Sequence, residues 1–477
     1  MGISSRSDPV LMRVFLAVFA GVYLTVQIHF FSGLHTHVEE FQLQSESLQN
    51  SSSHVRALVD ETHELKERLQ ALEADLEIEK RSHRKDVERL EEKRIFVQAQ
   101  SPPSTPDSAG TLLRGDLKPG SGSTIPSSMQ PGDIVAAVVV MTCNRRDYLQ
   151  RTLQSIFSRR NSDELVHKFP LFVSQDGTNP GVKGTAMNNQ AHLTYMQHLE
   201  TEVPKMDSPK ENVAYYRIAN HYKWALDELF VEREYERVII LEDDMELAVD
   251  FFQYFEATAP LLTSDPSLLC VSSWNDNGQE QFVNSATALF RSDFFPGLGW
   301  MLTRDTWMGL REIWPKGYWD DWMRLRHVRR GRQCIRPEVC RTFNFGEQGS
   351  SHGYFFKQYL AKIKVNQEEV QWNEMDLRYL EAEAYAKQFQ ATVQQAQPAP
   401  NLNAVHSMQG DVKLFYRNEK DFEQIAKRFG VFGEWKDGTP RGAYRGVVVF
   451  KANAGATRIF LVPDPVHLKL ADWGHFE

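Results

Sequence analysis

An apolar run that leads directly into three carboxylates is the feature that most constrains the fold of this chain. Residues 238–241 are all aliphatic, and Glu242, Asp243 and Asp244 follow them without a break. Such a run predicts a strand buried on both faces, as in the parallel sheet of an α/β domain. In these sheets ligands bind beyond the carboxyl ends of the strands. We therefore expect the three acids to lie where a ligand binds.

Three adjacent carboxylates repel one another unless a cation or hydrogen-bond donors compensate them. Oxygen ligands suit Mg²⁺ or Mn²⁺, which commonly bind one or two carboxylates together with substrate phosphates. This pattern predicts a divalent ion that bridges the strand end to a phosphorylated substrate. The alternative is that the acids only cap the next helix and favour its dipole.

Net charge and cysteine content limit the partners, metal sites and disulfides that this protein can have. A net charge of −9 over 477 residues argues against nucleic acid as a partner, because phosphate binding requires a basic face. The four cysteines have neither CxxC nor zinc-site spacing, and four thiols allow three disulfide pairings. The spacing alone leaves the pairing open.

The N-terminus predicts a membrane anchor. Residues 1–13 form a short tail with Arg6 and Arg13, and residues 14–34 carry no ionised side chain. As a helix, 14–34 would be ~31 Å long, which matches the bilayer interior. A cleaved signal peptide would have a shorter apolar core and a small-residue cleavage site. We therefore expect a retained signal-anchor, with the N-terminus cytosolic and the rest of the chain lumenal.

A stalk is predicted to follow the anchor. Residues 35–100 are polar and helical in character, with an apolar heptad pattern over 55–76. A coiled coil, which would allow self-association, and a solvated single helix fit this stem equally well. Asn50 begins an N-glycosylation acceptor. Residues 101–131, rich in Ser, Pro and Gly, predict an extended linker.

The next 219 residues, 132–350, predict the functional domain. Strands over 134–141 and 169–176 alternate with helices, and the βαβ pattern predicts a doubly wound sheet. Arg145 and Asp176 follow strand ends, so both would share the crevice with the acids at 242–244. No glycine-rich phosphate loop is present in the sequence, so a metal ion would carry more of a pyrophosphate's charge.

Two aromatic loops, 273–278 and 293–300, could present ring faces and polar side chains to a sugar, or supply core tryptophans. Asp320 lies between Trp319 and Trp322. Desolvation by the rings would raise its pKa and suit a general base, whereas a plain helix N-terminus explains the acid equally well. The loop 349–353 either closes over phosphates or is an ordinary turn.

The end of the chain predicts a second, smaller domain. After a connector over 351–375, residues 376–477 carry a helix over 380–397 and a small α+β unit. Its strands are predicted over 412–416, 446–450 and 459–462, with a helix over 422–429. No catalytic set of side chains is recognisable in this part of the sequence.

From about residue 134 to the C-terminus, the chain resembles the N-acetylglucosaminyltransferase I family. The runs that carry the resemblance are 215–226, 242–244, 250–258, 270–278, 293–300, 314–316, 319–324 and 351–353. The resemblance implies a type II Golgi membrane enzyme with a GT-A nucleotide-sugar fold, UDP-GlcNAc as donor and Mn²⁺ as metal. The implied acceptor is the α-1,3-linked mannose of a five-mannose N-glycan.

The resemblance also assigns roles to residues. Asp244 is expected to be the main protein ligand of Mn²⁺, Asp243 to contact the ribose and Glu242 the donor sugar. Asp320 is expected to be the general base of an inverting transfer.

Further expectations concern the nucleotide. Arg145, Asp176 and His221 are expected to hold it, and Ser351 to lie in a loop that orders over the diphosphate.

One departure from the family pattern concerns the cysteines. We expect a cysteine directly after the acid of the second strand, able to pair with a residue like Cys143, but this chain has Gly177. The resemblance leaves Cys270–Cys334 as the expected disulfide. Whether Cys143 and Cys340 pair with each other stays open.

Two alternative functions compete with this interpretation. The nearer one is β-1,2-GlcNAc transfer to O-mannosyl glycans, which would use much the same fold and motifs. The more distant one is a membrane-tethered scaffold that binds no substrate.

Overall fold

The computed structural model describes residues 134–200, 204–208, 211–347, 356 and 359–465. The strands are β1 Ala137–Thr142, β2 Leu171–Asp176, β3 Thr194–His198, β4 Arg237–Glu242, β5 Met245–Leu247, β6 Leu268–Ser272, β7 Leu289–Ser292, β8 Trp300–Thr303, β9 Gln333–Pro337, β10 Thr342–Asn344, β11 Gln397–Pro398, β12 Gly410–Tyr416, β13 Trp435–Lys436, β14 Thr439–Pro440, β15 Val448–Ala452 and β16 Thr457–Pro463. The α-helices are α1 Arg146–Arg159, α2 Asp163–Lys168, α3 Pro180–Asn188, α4 Val213–Asp227, α5 Phe251–Ser264, α6 Arg304–Arg311, α7 Trp319–Met323, α8 Arg326–Arg329, α9 Ala382–Gln395 and α10 Glu419–Phe429.

An eight-stranded sheet with the order β3-β2-β1-β4-β8-β6-β9-β7 forms the centre of the described structure. The neighbouring strands from β3 to β4 are parallel, and β8 joins β4 antiparallel. Val139 of β1 lies opposite Phe172 on one side and Ile240 on the other. The central strands are mostly apolar and almost entirely buried, as predicted for strands covered on both faces.

The doubly wound prediction is correct only for this first half. Beyond β4 the sheet is mixed, since β8 runs antiparallel to both β4 and β6, while β9 returns parallel to β6. The described α/β domain is therefore built on a mixed sheet of parallel and antiparallel strands. In this half short loops join α5 to β6 and β7 to β8, in place of the regular βαβ crossovers of the first half.

Helix α1 fixes the edge of the sheet on which the acidic residues lie. Its buried residues Leu149, Leu153 and Ile156 recur at helical spacing and pack against the sheet. Full burial of each such side chain contributes roughly 1.5–3 kcal/mol. Thr152, on the same buried face, reaches the turn after β4 and is described with the site below.

The C-terminal part forms a second sheet, β11-β12-β16-β15, with α10 packed against it. Strands and helices appear where the sequence predicts them. The order differs from a simple meander, because β12 pairs parallel with β16, the last strand described. Cys270 and Cys334 lie opposite each other on the adjacent strands β6 and β9 and form the expected disulfide.

Several predicted segments lie outside the described residues. These are the tail 1–13, the anchor 14–34, the stem 35–100 with Asn50, the linker 101–131 and the loop 349–353 with Ser351. Within the residues that the structure does describe, no helix combines the length and apolar character needed to cross a bilayer.

Candidate functional site

The three acids occupy the tip of β4 and the tight turn into β5. Glu242 is the last residue of β4, while Asp243 and Asp244 form the turn. Asp243 is 2% exposed and Asp244 is 5% exposed, so both carboxylates are taken out of water. We call this segment, residues 242–244, the acidic turn. Its burial makes compensation of the negative charge necessary.

Arg145 supplies part of that compensation. Its guanidinium donates to Oδ1 of Asp243, and Nη1 lies 2.8 Å from Oδ2 of Asp244. Arg145 immediately precedes α1, at the carboxyl end of β1 next to β4. The sequence prediction that it shares the crevice with the acids is therefore confirmed.

Two threonine hydroxyls hydrogen-bond to the acidic turn. The Thr142 hydroxyl donates a 2.7 Å hydrogen bond to Oδ2 of Asp243. The Thr152 hydroxyl donates to the Asp243 carbonyl at 2.8 Å and accepts from the Met245 amide at 3.1 Å. The sheet and α1 thus fix both the side chain and the backbone of Asp243.

Strand β10 encloses Asp244 from the other side. The Asn344 amide donates to Oδ1 of Asp244 at 2.9 Å, and the Phe345 amide donates to its carbonyl at 2.9 Å. A Cβ at Gly346 would lie 2.8 Å from Cγ of Asp244 and closer still to its Oδ2. Only a glycine fits against this carboxylate in the observed arrangement.

The acidic turn keeps an excess of negative charge. Burial raises the pKa of Asp243 to about 6 and that of Glu242 to about 7, and it also raises the pKa of Asp244. Arg145 opposes these shifts without cancelling them. A bound cation would relieve the remaining repulsion, so these oxygen donors fit a hard divalent ion.

Tyr222 connects the acidic turn to the predicted base. Its hydroxyl donates a 2.8 Å hydrogen bond to Oε1 of Glu242, and its ring stacks on Trp319 at a centroid distance of 4.3 Å. Burial raises the pKa of Tyr222, and the carboxylates of Glu242 and Asp320 raise it further. The carboxylates of Glu242 and Asp320 therefore both lie within electrostatic range of one hydroxyl.

Asp320 lies in the first turn of α7, which is the helix N-terminus that the alternative interpretation predicted. Its side chain is 43% exposed, and Oδ2 lies 3.2 Å from Nη1 of Arg324. The predicted desolvation by tryptophans is therefore wrong. Trp319 turns into the core at 7% exposure, and the next residue of a helix points about 100° away from it, towards solvent.

His221 and Asp176 lie in a neighbouring part of the crevice. Nε2 of His221 is 2.8 Å from the Ser174 hydroxyl, and the ring, 5% exposed, stacks on His198 at 5.6 Å. Nδ1 of His198 lies 2.8 Å from Oδ1 of Asp176. Burial lowers the pKa of His221 to about 3, so this imidazole is neutral. Their contacts with a nucleotide stay a prediction.

The predicted sugar-binding tryptophans are part of the core. Trp274 and Trp300 are each 1% exposed, so neither ring face is open to a sugar. The core interpretation of these loops is the correct one. Cys143 and Cys340 are both free thiols, the first exposed and the second buried, so they do not pair with each other.

Within the described ranges, no three His, Cys, Asp or Glu side chains form a ready-made metal cluster. Sequence reasoning missed Thr142, Tyr222, Asn344 and Gly346, which shape the acidic turn. Tyr222 lay inside a motif already singled out, residues 215–226, but the position of Asn344 beside Asp244 depends on a contact across 100 residues.

Comparison with known proteins gives a match along nearly the whole chain. Residues 15–472 match the GNT-I family. A relative from Arabidopsis thaliana, named alpha-1,3-mannosyl-glycoprotein 2-beta-N-acetylglucosaminyltransferase, is 45% identical over 460 residues, covering 95% of this chain and 97% of the relative.

Two solved structures show partial likeness. A mannosyltransferase from Pyrobaculum calidifontis, in complex with GDP-Man and Mn²⁺, is 16% identical with a TM-score of 0.29 over 48% of this chain and 62% of its own. A galactosyltransferase in complex with donor and acceptor sugar analogues is 13% identical, with a TM-score of 0.23 over 37% of this chain and 63% of its own. This chain spans less than two thirds of each.

Proposed function

Because this chain belongs to the GNT-I family and is a glycosyltransferase, we propose that it transfers GlcNAc from UDP-GlcNAc to the α-1,3-linked mannose of a five-mannose N-glycan. The new linkage is β-1,2, and the transfer opens the synthesis of hybrid and complex N-glycans. The observation that carries this proposal is the 45% identity to the named relative, spread over 95% of the chain.

The donor site is built on the acidic turn. Asp244 is the protein ligand of Mn²⁺, an assignment supported by its burial and by the raised pKa values of the three acids. When bound, Mn²⁺ offsets negative charge on the diphosphate that leaves. Asp243 holds the ribose and Glu242 the donor sugar, with Tyr222 orienting the Glu242 carboxylate.

The nucleotide is held by side chains around the same strand ends. Arg145 directs its guanidinium at the acidic turn and thereby fixes the orientation of both aspartates. Asp176 and the neutral His221 line the base side of the crevice, and Ser351 belongs to the loop that covers the diphosphate. Closure of that loop keeps water away from the donor.

The chemistry is a single displacement with inversion, because a β-linkage is made from an α-linked donor. Asp320 accepts the proton of the mannose O2 hydroxyl as that oxygen attacks the anomeric carbon. A partly exposed carboxylate suits this task, since a bulky acceptor must reach it. Tyr222 bonds to Glu242 and stacks on Trp319, the residue before Asp320, and so links the base to the acidic turn.

The same proposal includes a GT-A fold for the domain 132–350 and a single-pass type II arrangement in the Golgi membrane. In this arrangement residues 14–34 anchor the chain, and the catalytic part faces the lumen. The Arg6 and Arg13 side chains on the cytosolic side support the orientation.

Transfer assays with two acceptors test the function. The purified full chain, with UDP-GlcNAc and Mn²⁺, is given either the five-mannose N-glycan or an O-mannosyl glycan. We expect GlcNAc transfer to the N-glycan, and omission of the metal should abolish it. Transfer to O-mannose alone would overturn the acceptor assignment, and no metal-dependent UDP-GlcNAc binding at all would favour the scaffold.

A further inference from the structure

A hairpin of the C-terminal part contacts the helix that carries Asp320. This hairpin consists of β13 and β14, and Nζ of Lys436 in β13 lies 3.1 Å from Oδ2 of Asp321 in α7. The Arg326 amide, at the start of α8, donates a 2.6 Å hydrogen bond to the Asp437 carboxylate at the hairpin tip. The hairpin therefore contacts α7 and α8 at residues 321 and 326, just after Asp320.

Four charges form a continuous chain that ends on Asp320. Lys436 pairs with Asp321, and Nη1 of Arg324 lies 2.9 Å from Oδ1 of Asp321 and 3.2 Å from Oδ2 of Asp320. One guanidinium nitrogen is thus shared between two neighbouring carboxylates. The Arg324 side chain is only 10% exposed, so solvent screens it less than the two aspartates.

A second cation, Arg441, lies just after the hairpin and close enough to act on Asp320. Arg441 is held by an ion pair with Asp276 at 2.9 Å and by a second pair with Glu434, and Asp320 lies within electrostatic range of it. The guanidinium carbons of Arg441 and Arg324 each lie 5.3 Å from the centroid of the buried Phe294 ring. The aromatic ring thus lies against both cations.

The other groups that face Asp320 are phenols. Tyr215 of α4 stacks on Tyr318 at 4.7 Å, and burial followed by the Asp320 charge raises the pKa of Tyr215. Tyr222 lies next to Trp319. These hydroxyls stay neutral, so the charged groups described around Asp320 are Arg324, Asp321 and Arg441, and Lys436 acts on it through Asp321.

We propose that Lys436 is a positioning residue for the transfer reaction: by pairing with Asp321, it leaves Arg324 available to stabilise the charged form of Asp320. The inference rests on the proposed role of Asp320 and gives the C-terminal part a task in catalysis. Without Lys436, Asp321 draws the shared guanidinium towards itself. The Asp320 anion then loses part of its stabilisation.

Removing the charge of Lys436 and removing that of Asp321 should have opposite consequences for Asp320. Loss of the cation in Lys436→Met should weaken the support that Arg324 gives to the Asp320 anion, so turnover should need a higher pH. Loss of the anion in Asp321→Asn leaves Arg324 to Asp320 alone, so turnover should persist to a lower pH. Both pairs are partly solvated, so shifts of about half a pH unit are expected.

The test is the pH dependence of kcat for the full-length protein in detergent, at saturating Mn²⁺, UDP-GlcNAc and five-mannose acceptor. The acid limb should move up by about half a unit in Lys436→Met and down by a similar amount in Asp321→Asn. Lys436→Arg should restore the wild-type limb. Lys420→Met, at an exposed lysine of α10, is the matched control and should leave the profile unchanged.

Each outcome is decisive. A lowered kcat with an unmoved acid limb in Lys436→Met, or limbs that move in the same direction in both variants, would overturn the inference. If circular dichroism shows that Lys436→Met does not fold, Asp321→Asn decides: a downward shift supports the inference and an unmoved limb overturns it. A wild-type chain that transfers no GlcNAc would instead overturn the proposed function, and with it this inference.

Discussion

The Tyr222 hydroxyl donates a 2.8 Å hydrogen bond to Oε1 of Glu242, and this contact joins the two halves of the proposed reaction centre. Glu242 belongs to the acidic turn that would hold the donor. On its other side Tyr222 stacks on Trp319, the residue that precedes Asp320. The proposed donor site and the proposed base are therefore connected through one side chain of α4.

Replacing Tyr222 by phenylalanine tests that connection. Tyr222→Phe keeps the ring on Trp319 but leaves the Glu242 carboxylate without its donor, and a hydrogen bond to a charged group contributes about 1.5–3 kcal/mol. We expect kcat/KM to fall at least ~10-fold with the fold intact. Tyr254→Phe, which removes the 2.8 Å bond to the Ser272 carbonyl, is the control and should lower stability but not activity. Equal kinetic effects of the two variants would contradict the role of Tyr222.

Gly346→Ala tests the enclosure of Asp244. The added methyl group would collide with the Asp244 carboxylate, which must then move. We expect Mn²⁺-dependent binding of UDP-GlcNAc, measured by calorimetry, to weaken at least ~10-fold, since one displaced ligand costs more than 1.4 kcal/mol. Gly184→Ala, at a position of α3 with no atom within 4 Å of the new Cβ, should bind the donor normally. Normal binding by Gly346→Ala as well would show that Asp244 is not the ligand.

Strands β1, β2 and β4 could be predicted from sequence because burial on both faces requires continuous apolar runs. Strand β3 could not, because at the sheet edge only Met196 of its five residues is buried. The acids at the end of a buried strand were predictable, but their contacts with Asn344 and Gly346 were not, since those residues lie about 100 positions further along the chain. The surroundings of Asp320 were predicted wrongly because helical rotation, not sequence adjacency, decides which side chain meets the core.

His221 predicts a specific dependence of stability on pH. Its pKa is about 3 in the folded protein and about 6.5 in an unfolded chain, so unfolding takes up a proton between these values. The contribution to stability is therefore fully present above pH 6.5 and is lost as the pH falls towards 3. Between pH 7 and pH 5 the wild-type chain should lose about 2 kcal/mol of unfolding free energy from this group.

Comparison with His221→Gln isolates this effect. Glutamine offers an amide near the position of Nε2 towards Ser174 but does not titrate. The raised pKa values of Asp243 and Glu242 act in the opposite direction, because they stabilise the folded protein at low pH and lose that effect as the pH rises. Both proteins carry the same contribution from these acids. It cancels when their unfolding free energies, measured by urea titration at pH 7 and pH 5, are subtracted. An equal loss in both proteins would contradict the neutral, buried imidazole.

The most direct test of the whole account is the effect of Asp320→Asn on donor binding and turnover, measured on the same preparation. The control is Asp305→Asn, an exposed acid in the first turn of α6 that should change neither quantity. In Asp320→Asn we predict that calorimetry with Mn²⁺ and UDP-GlcNAc gives the wild-type Kd, while kcat for GlcNAc transfer falls at least ~100-fold. Turnover by Asp320→Asn at the wild-type rate would contradict the account, because the mannose hydroxyl would then lose its proton to a different group.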